Sequence, residues 1–180
     1  MENQQTFRNE ILKAGGQMIT LIFPGEPKGI QSFRASMIKP KIGSPFIHKY
    51  QPKKVTDWKA YIRVSALSQI ERLPDFKGFS DGVSVCVDFV FSPPKSWSKK
   101  KLAMINDGVR FYKTSRPDLS DNLMKGICDS LTGIVWKDDS QIVRVNSKKY
   151  YGLNPRIEMA VYPLTEDGQG EKEINENNIF

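Results

Sequence analysis

Apolar residues along this chain fall into short runs whose period changes, and the period names the element each run can form. Met18 to Phe23 is largely apolar and is closed by the turn residues Pro24-Gly25-Glu26-Pro27, which predicts a first strand. Residues 28–54 then lose all period. There Lys28, Arg34, Lys39, Lys41, Lys49, Lys53 and Lys54 are scattered among glycines, prolines and the aromatics Phe33, Phe46 and Tyr50, and an irregular basic loop is expected. Between Val55 and Leu73 the residues Trp58, Ile62, Ala66, Leu67 and Ile70 recur at three- to four-residue steps, as one buried helix face does, and Pro74 ends it. Val83 to Phe91 alternates Val83, Val85, Val87, Phe89 and Phe91 against Ser84, Cys86, Asp88 and Val90, the pattern of a half-buried strand. Ser96 or Ser98 can cap a short helix in SWSKKKLAMIND. Leu123, Ile127 and Leu131 mark a helix from Asp118 to Thr132 with Gly133 at its end, and QIVRVNSKKYYG and RIEMAVYP read as two last strands.

This order predicts one α+β domain over residues 18–163, a mixed β-sheet with helices packed on one face. Residues 1–17 form an N-terminal extension and 164–180 an acidic tail expected to be disordered. Hydrophobic residues make up 39% and aromatics 11% of the 180 residues, enough for a core, so wholesale disorder is excluded. The longest apolar run, Val83 to Phe91, is interrupted by Ser84 and Asp88 and is too short for a membrane span. The N-terminus has neither the basic start nor the apolar block of a signal peptide, so a cytoplasmic protein with reduced Cys86 and Cys128 is expected. Two cysteines and the single His48 cannot form a Cys/His zinc site or offer much to thiol catalysis. Gly25-Glu-Pro-Lys-Gly lacks phosphate-loop spacing, so no nucleotide cofactor is expected.

Charge narrows the partners. The net charge is +7, but residues 164–180 hold Glu166, Asp167, Glu171, Glu173 and Glu176 against Lys172 and so carry −4. Residues 1–163 therefore carry +7 − (−4) = +11, a basic body suited to a polyanion. Seven basic residues lie between Lys95 and Arg116 against the one acid Asp107.

Inside this basic body sits an acidic constellation. Asp121, Lys125 and Asp129 follow at i, i+4 and i+8 on one helix face; Asp118 stands at the helix start, and Asp138 and Asp139 follow the apolar run Ile134-Val135-Trp136, where the chain can fold back. Two carboxylates about 5 Å apart repel by roughly 3 kcal/mol at an effective dielectric near 20. A hard cation relieves that cost, and oxygen ligands without His or Cys favour Mg2+, with Mn2+ able to substitute. Bounded by Lys113, Arg116 and Lys125, such a cluster reads as a phosphodiester-cleaving site. The same residues admit a structural reading. Asp118 or Ser120 can be an N-cap, Asp121 a first-turn acid paired with Lys125, and Asp138-Asp139-Ser140 a solvated turn.

Arg116-Pro-Asp118, Asp121-Asn-Leu-x-Lys125 and Asp129-x-Leu-x-Gly-Ile-Val-Trp-x-Asp-Asp139-x-Gln-Ile142 together resemble the signature of the RusA family of Holliday junction resolvases. Weaker likeness extends to Pro24-Gly-Glu-Pro-Lys-Gly29, Gln51-Pro-Lys-Lys-Val-Thr-Asp-Trp58, Pro94-Lys-Ser-Trp-Ser-Lys-Lys-Lys101 and Lys148-Lys-Tyr-Tyr-Gly152. The resemblance implies a homodimeric, Mg2+-dependent endonuclease that binds branched DNA, especially four-way junctions, and makes paired symmetric nicks. It implies that Asp118, Asp121 and Asp139 hold metal, with Lys125 their basic partner and Asp129 and Asp138 second-line candidates. Lys28, Arg34, Lys53, Lys54, Arg116, Lys148 and Lys149 are the expected phosphate contacts, with Lys99 to Lys101 beside them, while Phe33, Phe46 and Tyr50 can stack on bases or anchor the core. One departure stands out: the family pattern is Pro-Asp-x-Asp-Asn, whereas Pro117-Asp-Leu-Ser-Asp-Asn122 carries one extra residue. Either the helix takes in Asp118 and i, i+3 spacing keeps both acids on one face with the site intact, or Asp118 stays extended, a bulge absorbs the insertion and its carboxylate can point away. A non-catalytic junction-binding protein, or a nuclease for other branched DNA, remains the alternative.

Overall fold

In the computed structural model, which describes residues 18–30, 34–73 and 75–164, five strands form one mixed sheet. In chain order the strands are β1 (Ile19–Pro24), β2 (Arg34–Ile38), β3 (Phe46–Tyr50), β4 (Val83–Phe91), β5 (Phe111–Tyr112), β6 (Ile142–Tyr151) and β7 (Arg156–Pro163). The sheet order is β1-β7-β4-β6-β5, with β4 and β6 parallel and the other neighbours antiparallel. Among the described residues three α-helices accompany it: α1 (Lys53–Ile70), α2 (Lys99–Asn106) and α3 (Lys125–Leu131).

The alternation in β4 decides the layers. Val83, Val85, Val87, Phe89 and Phe91 join Ile157, Met159 and Val161 of β7 and Ile19, Leu21 and Phe23 of β1 in one buried cluster. Onto it pack Val55, Trp58, Ile62 and Ala66 of α1 and Leu123, Ile127 and Leu131 of the α3 region. The opposite sheet face is mixed: Ser84, Val90 and Tyr162 are buried on it as well, while Cys86 and Asp88 are half-buried. There Ser84 donates to Tyr162 Oη (2.8 Å), and Asp88 accepts from Tyr150 Oη (3.1 Å) and pairs with Lys148 (3.3 Å). The helix ladder thus matches the expected stripe except at Leu67, which is 47% exposed.

Helix α1 also manages the free edge of β1. The Gln69 amide accepts from Ile22 N–H and donates to Ile22 C=O, both at 2.9 Å, so a side chain takes the place of a neighbouring strand. Tyr61 Oη adds a bond to Pro24 C=O (2.8 Å).

Two features depart from the sequence reading. The expected irregular basic loop contains an antiparallel ribbon, β2 with β3, separate from the main sheet. The period was hidden because every described position of the ribbon is exposed, so no buried face imposed alternation. The short strand β5 was also unforeseen; two residues are too few for a pattern. Ser98, one of the two expected caps, accepts from Lys101 N–H (3.3 Å) at the start of α2. The extension 1–17, Phe33, Pro74 and, beyond Leu164, the acidic tail lie outside the described residues.

Candidate active site

The segment Pro117 to Leu131 carries most of the acidic motif, and its start solves the problem of the extra residue. Asp118 keeps an extended backbone (φ −71°, ψ 160°) and caps a π-helical turn, Leu119–Met124, that continues directly into α3. Its carbonyl accepts from Leu123 N–H five residues on (3.3 Å). A π turn spends about one more residue per turn than an α turn, so this turn has room for the extra residue relative to the pattern the sequence resembles.

The Asp118 carboxylate folds back over this turn. One oxygen accepts from the N–H groups of Asp121 and Asn122, each at 3.0 Å, and the other accepts from Asn122 Nδ2. These bonds use three of roughly four acceptor directions of a carboxylate, so one direction stays open. Asp121, in the first turn, is exposed and takes no side-chain hydrogen bond or ion pair among the described residues. Lys125, one turn on, is exposed as well. Arg116 precedes a cis peptide to Pro117 and is exposed.

Two contacts bring other basic residues to this turn. Ile30 N–H donates to Asn122 C=O (3.2 Å), and a Cβ at Gly29 would meet Pro117 Cβ at 2.7 Å, so only glycine lets the chain leaving β1 lie this close. Exposed Lys28 is therefore held near the Asp118 turn. From β6, the Lys149 ammonium donates to the carbonyls of Ser115 (3.0 Å) and Pro117 (2.6 Å), bracing the backbone just before Asp118. Burial, then the charge of Lys113, pulls the Lys149 ammonium below its ordinary pKa, with Asp118 opposing.

The other candidates sit elsewhere. Asp129 is paired with Lys59 of α1 (2.9 Å), an interhelical ion pair. Asp138 caps the 3-10 turn Asp139–Gln141: it accepts from Ser140 N–H (2.9 Å), while Gln141 Oε1 accepts from Asp138 N–H (3.0 Å), a capping box. The hydrogen bonds from Ser140 hold the Asp138 carboxyl below the ordinary range. Gln141 Nε2 also reaches the carbonyls of Phe79 and Asp81, both at 3.0 Å, tying this turn to the chain before β4. Asp139 accepts from Trp136 Nε1 (3.0 Å) and from Thr132 Oγ1. That contact fixes Asp139 at the C-terminal end of α3. Asp121 lies at the opposite end, in the π-helical turn that precedes α3. Among the described residues, no three His, Cys, Asp or Glu side chains come together in a group able to hold a metal ion.

Of the expected phosphate contacts, Lys28, Lys53, Lys54 and Arg116 are exposed, whereas Lys148 and Lys149 are engaged by Asp88 and by main-chain carbonyls. Only the backbone of Arg34, in β2, is described. The partners Lys59, Thr132 and Asn122 were not read from the sequence. Gln141 could have been, because Asp138-x-x-Gln141 has capping-box spacing. No helix among the described residues is long and apolar enough to cross a membrane.

Comparison with known proteins places this arrangement. The family model described as endodeoxyribonuclease RusA matches residues 24–162. An uncharacterised protein of Bacillus subtilis (strain 168), YqaN, is 33% identical over 117 residues, which cover 64% of this chain and 78% of that protein. A protein of Lactococcus phage r1t named crossover junction endodeoxyribonuclease rusA is 49% identical over 51 residues, 28% of this chain and 38% of the phage protein. With a match running from the end of β1 almost to the end of β7, the chain belongs to the RusA family of endodeoxyribonucleases.

Proposed function

We propose that this protein is a metal-dependent, structure-selective endonuclease that resolves four-way DNA junctions by paired symmetric nicks, acting as a homodimer. The observation that carries the reading is the exposed Asp118–Asp121 turn, braced by Lys149 and Gly29 and set in a body of charge +11 beside Lys28, Arg116 and Lys125. Family membership supports the nuclease activity, and the phage relative's name supports the junction as substrate.

The donor set fits a hard divalent cation in a spare form. Mg2+ needs only one or two carboxylates, with water and substrate phosphate filling the other positions. Asp121 and the open direction of Asp118 would hold it, and when bound it would acidify the attacking water and offset phosphate charge. Lys125 neutralises charge developing on the cleaved phosphate, and Lys28 and Arg116 orient the strand. Asp139, held at the far end of α3, can join an Asp118–Asp121 pair only from a second copy of the chain, which a twofold dimer making two nicks would provide.

The test is cleavage of a synthetic four-way junction and of a linear duplex of the same sequence, with and without Mg2+. Wild type should make paired symmetric nicks in the junction only with metal. Asp121→Asn and Asp118→Asn should bind the junction yet cut on the order of a hundredfold more slowly. Tight binding by wild type with no cutting in Mg2+ or Mn2+ would instead make this a junction-binding protein, a reading favoured by the bonds that tie Asp118 into its own turn. Faster cutting of forks or flaps than of four-way junctions would identify a nuclease for other branched DNA.

A further inference from the structure

Every described position of the β2–β3 ribbon is exposed, yet it is rich in large apolar side chains. The cross-strand pairs Ile38–Phe46, Ser36–His48 and Arg34–Tyr50 share one face, and Met37–Ile47 and Ala35–Lys49 share the other. Phe46 is 51% exposed, Tyr50 40%, Met37 65% and Ile47 64%. A two-stranded ribbon is marginal alone in water, and one that shows apolar residues on both faces is built to meet a partner.

Charge selects the partner. From residue 27 to residue 56 there is no Asp or Glu, while Lys28, Arg34, Lys39, Lys41, Lys49, Lys53 and Lys54 are all present. A second copy would bring an equally basic ribbon and be repelled, so the complement is a polyanion. The aromatic row says which part of it. Phe46, His48 and Tyr50 lie at every second position of β3, so their rings project from one face at intervals of about 6.8 Å. The rings of His48 and Tyr50 are near parallel (14°) with centroids 5.8 Å apart. Stacked bases in a duplex strand rise by about 3.4 Å, so rings spaced well beyond that interval suit a strand whose bases are unstacked and splayed.

We propose that the ribbon is a single-strand arm: Phe46, His48 and Tyr50 stack on unpaired bases, and Lys39 and Lys41, in the connection between the two strands, grip the adjoining phosphates. The proposal rests on the DNA-binding reading above and adds where and how unpaired nucleotides are held at a branch point. Stacking platforms of this kind tolerate any sequence, because every base has a face to offer.

The experiment compares full-length wild type with Phe46→Ala/Tyr50→Ala and with Phe46→Trp/Tyr50→Trp. It uses EDTA, so that no strand is cut, and three probes: oligo-dT, a linear duplex, and a four-way junction with 2-aminopurine at its centre. The alanine variant should lose about tenfold in oligo-dT affinity per ring removed and lose the 2-aminopurine signal, while duplex affinity, its salt slope and the melting temperature hold. The tryptophan variant should restore both. Oligo-dT affinity and 2-aminopurine signal unchanged in the alanine variant would overturn the proposal. So would a fall in sedimenting mass with unchanged oligo-dT affinity, which would make the ribbon a contact between copies. Wild type that binds none of the three probes would refute the DNA-binding reading itself, whereas wild type that binds all three with the alanine variant equal to it refutes only the arm.

Discussion

Cys128 illustrates how position governs a single side chain. It is buried, and burial first, then the charges of Asp139 and Asp129, pushes its thiol from 9.0 up to about 12. The unfolded chain therefore releases this proton at lower pH than the folded one. Above about pH 9 the unfolded state binds fewer protons, so stability is intact below that pH and falls as pH rises toward 12. Tyr150 and Tyr162, raised mainly by burial from 10.0 to about 12, act in the same direction. Thermal melting should hold steady up to about pH 9 and then decline, with a shallower decline in Cys128→Ala; equal slopes in the two proteins would remove Cys128 from the account. The acids diverge in the same way. Asp118, Asp129 and Asp138 look alike in the sequence, yet one caps the turn at the candidate site, one pairs with Lys59 from 70 positions away, and one closes a capping box. Only the local pairings could be read from spacing, because nothing in a linear sequence marks the meeting of α1 and α3.

At the scale of elements, the π-helical turn spends one residue more than an α turn between Asp118 and Asn122. Deleting Ser120 restores Pro-Asp-x-Asp-Asn spacing and lets an α-helical turn follow Asp118 directly. The shortened protein should fold with undiminished melting temperature and cut junctions at least as fast as wild type; loss of metal-dependent cutting with the fold intact would show that the bulge itself shapes the site. The β1 edge offers a second test. Gln69→Ala leaves Ile22 N–H and C=O to water, so it should cost about 0.5–1.5 kcal/mol by urea unfolding and raise concentration-dependent association. Strands β1, β4 and β7 and helices α1 and α3 were legible because each buries apolar residues in its own period, whereas α2, which buries no residue, was legible from its cap. The β2–β3 ribbon was not, since an element exposed on both faces leaves no period to read.

For the whole molecule, the separation of Asp121 from Asp139 makes a decisive prediction about assembly. If each active site takes Asp121 from one chain and Asp139 from its partner, Asp121→Asn and Asp139→Asn homodimers should both be inactive. Mixing and refolding the two should restore nicking, since each mixed dimer carries both losses in one site and keeps the other whole. No recovery in mixed dimers, with mixing verified by a tag, would place each site within one chain. Salt provides a companion reading: phosphate contacts should lower junction affinity by about 0.9 log units per contact for each tenfold rise in salt.

The sequence alone determined the α+β class, the helix-bearing sheet face, the basic body and the family motif, because period, charge and motif spacing are properties of neighbouring residues. The tertiary structure decided which acids remain open to a ligand and which are spent on Lys59, Trp136 or a capping box. It decided that Lys149 braces a turn, and that Phe46 and Tyr50 face outward from a free ribbon. Those outcomes depend on which elements meet, and a contact between residues far apart in the chain is set by packing of the whole core.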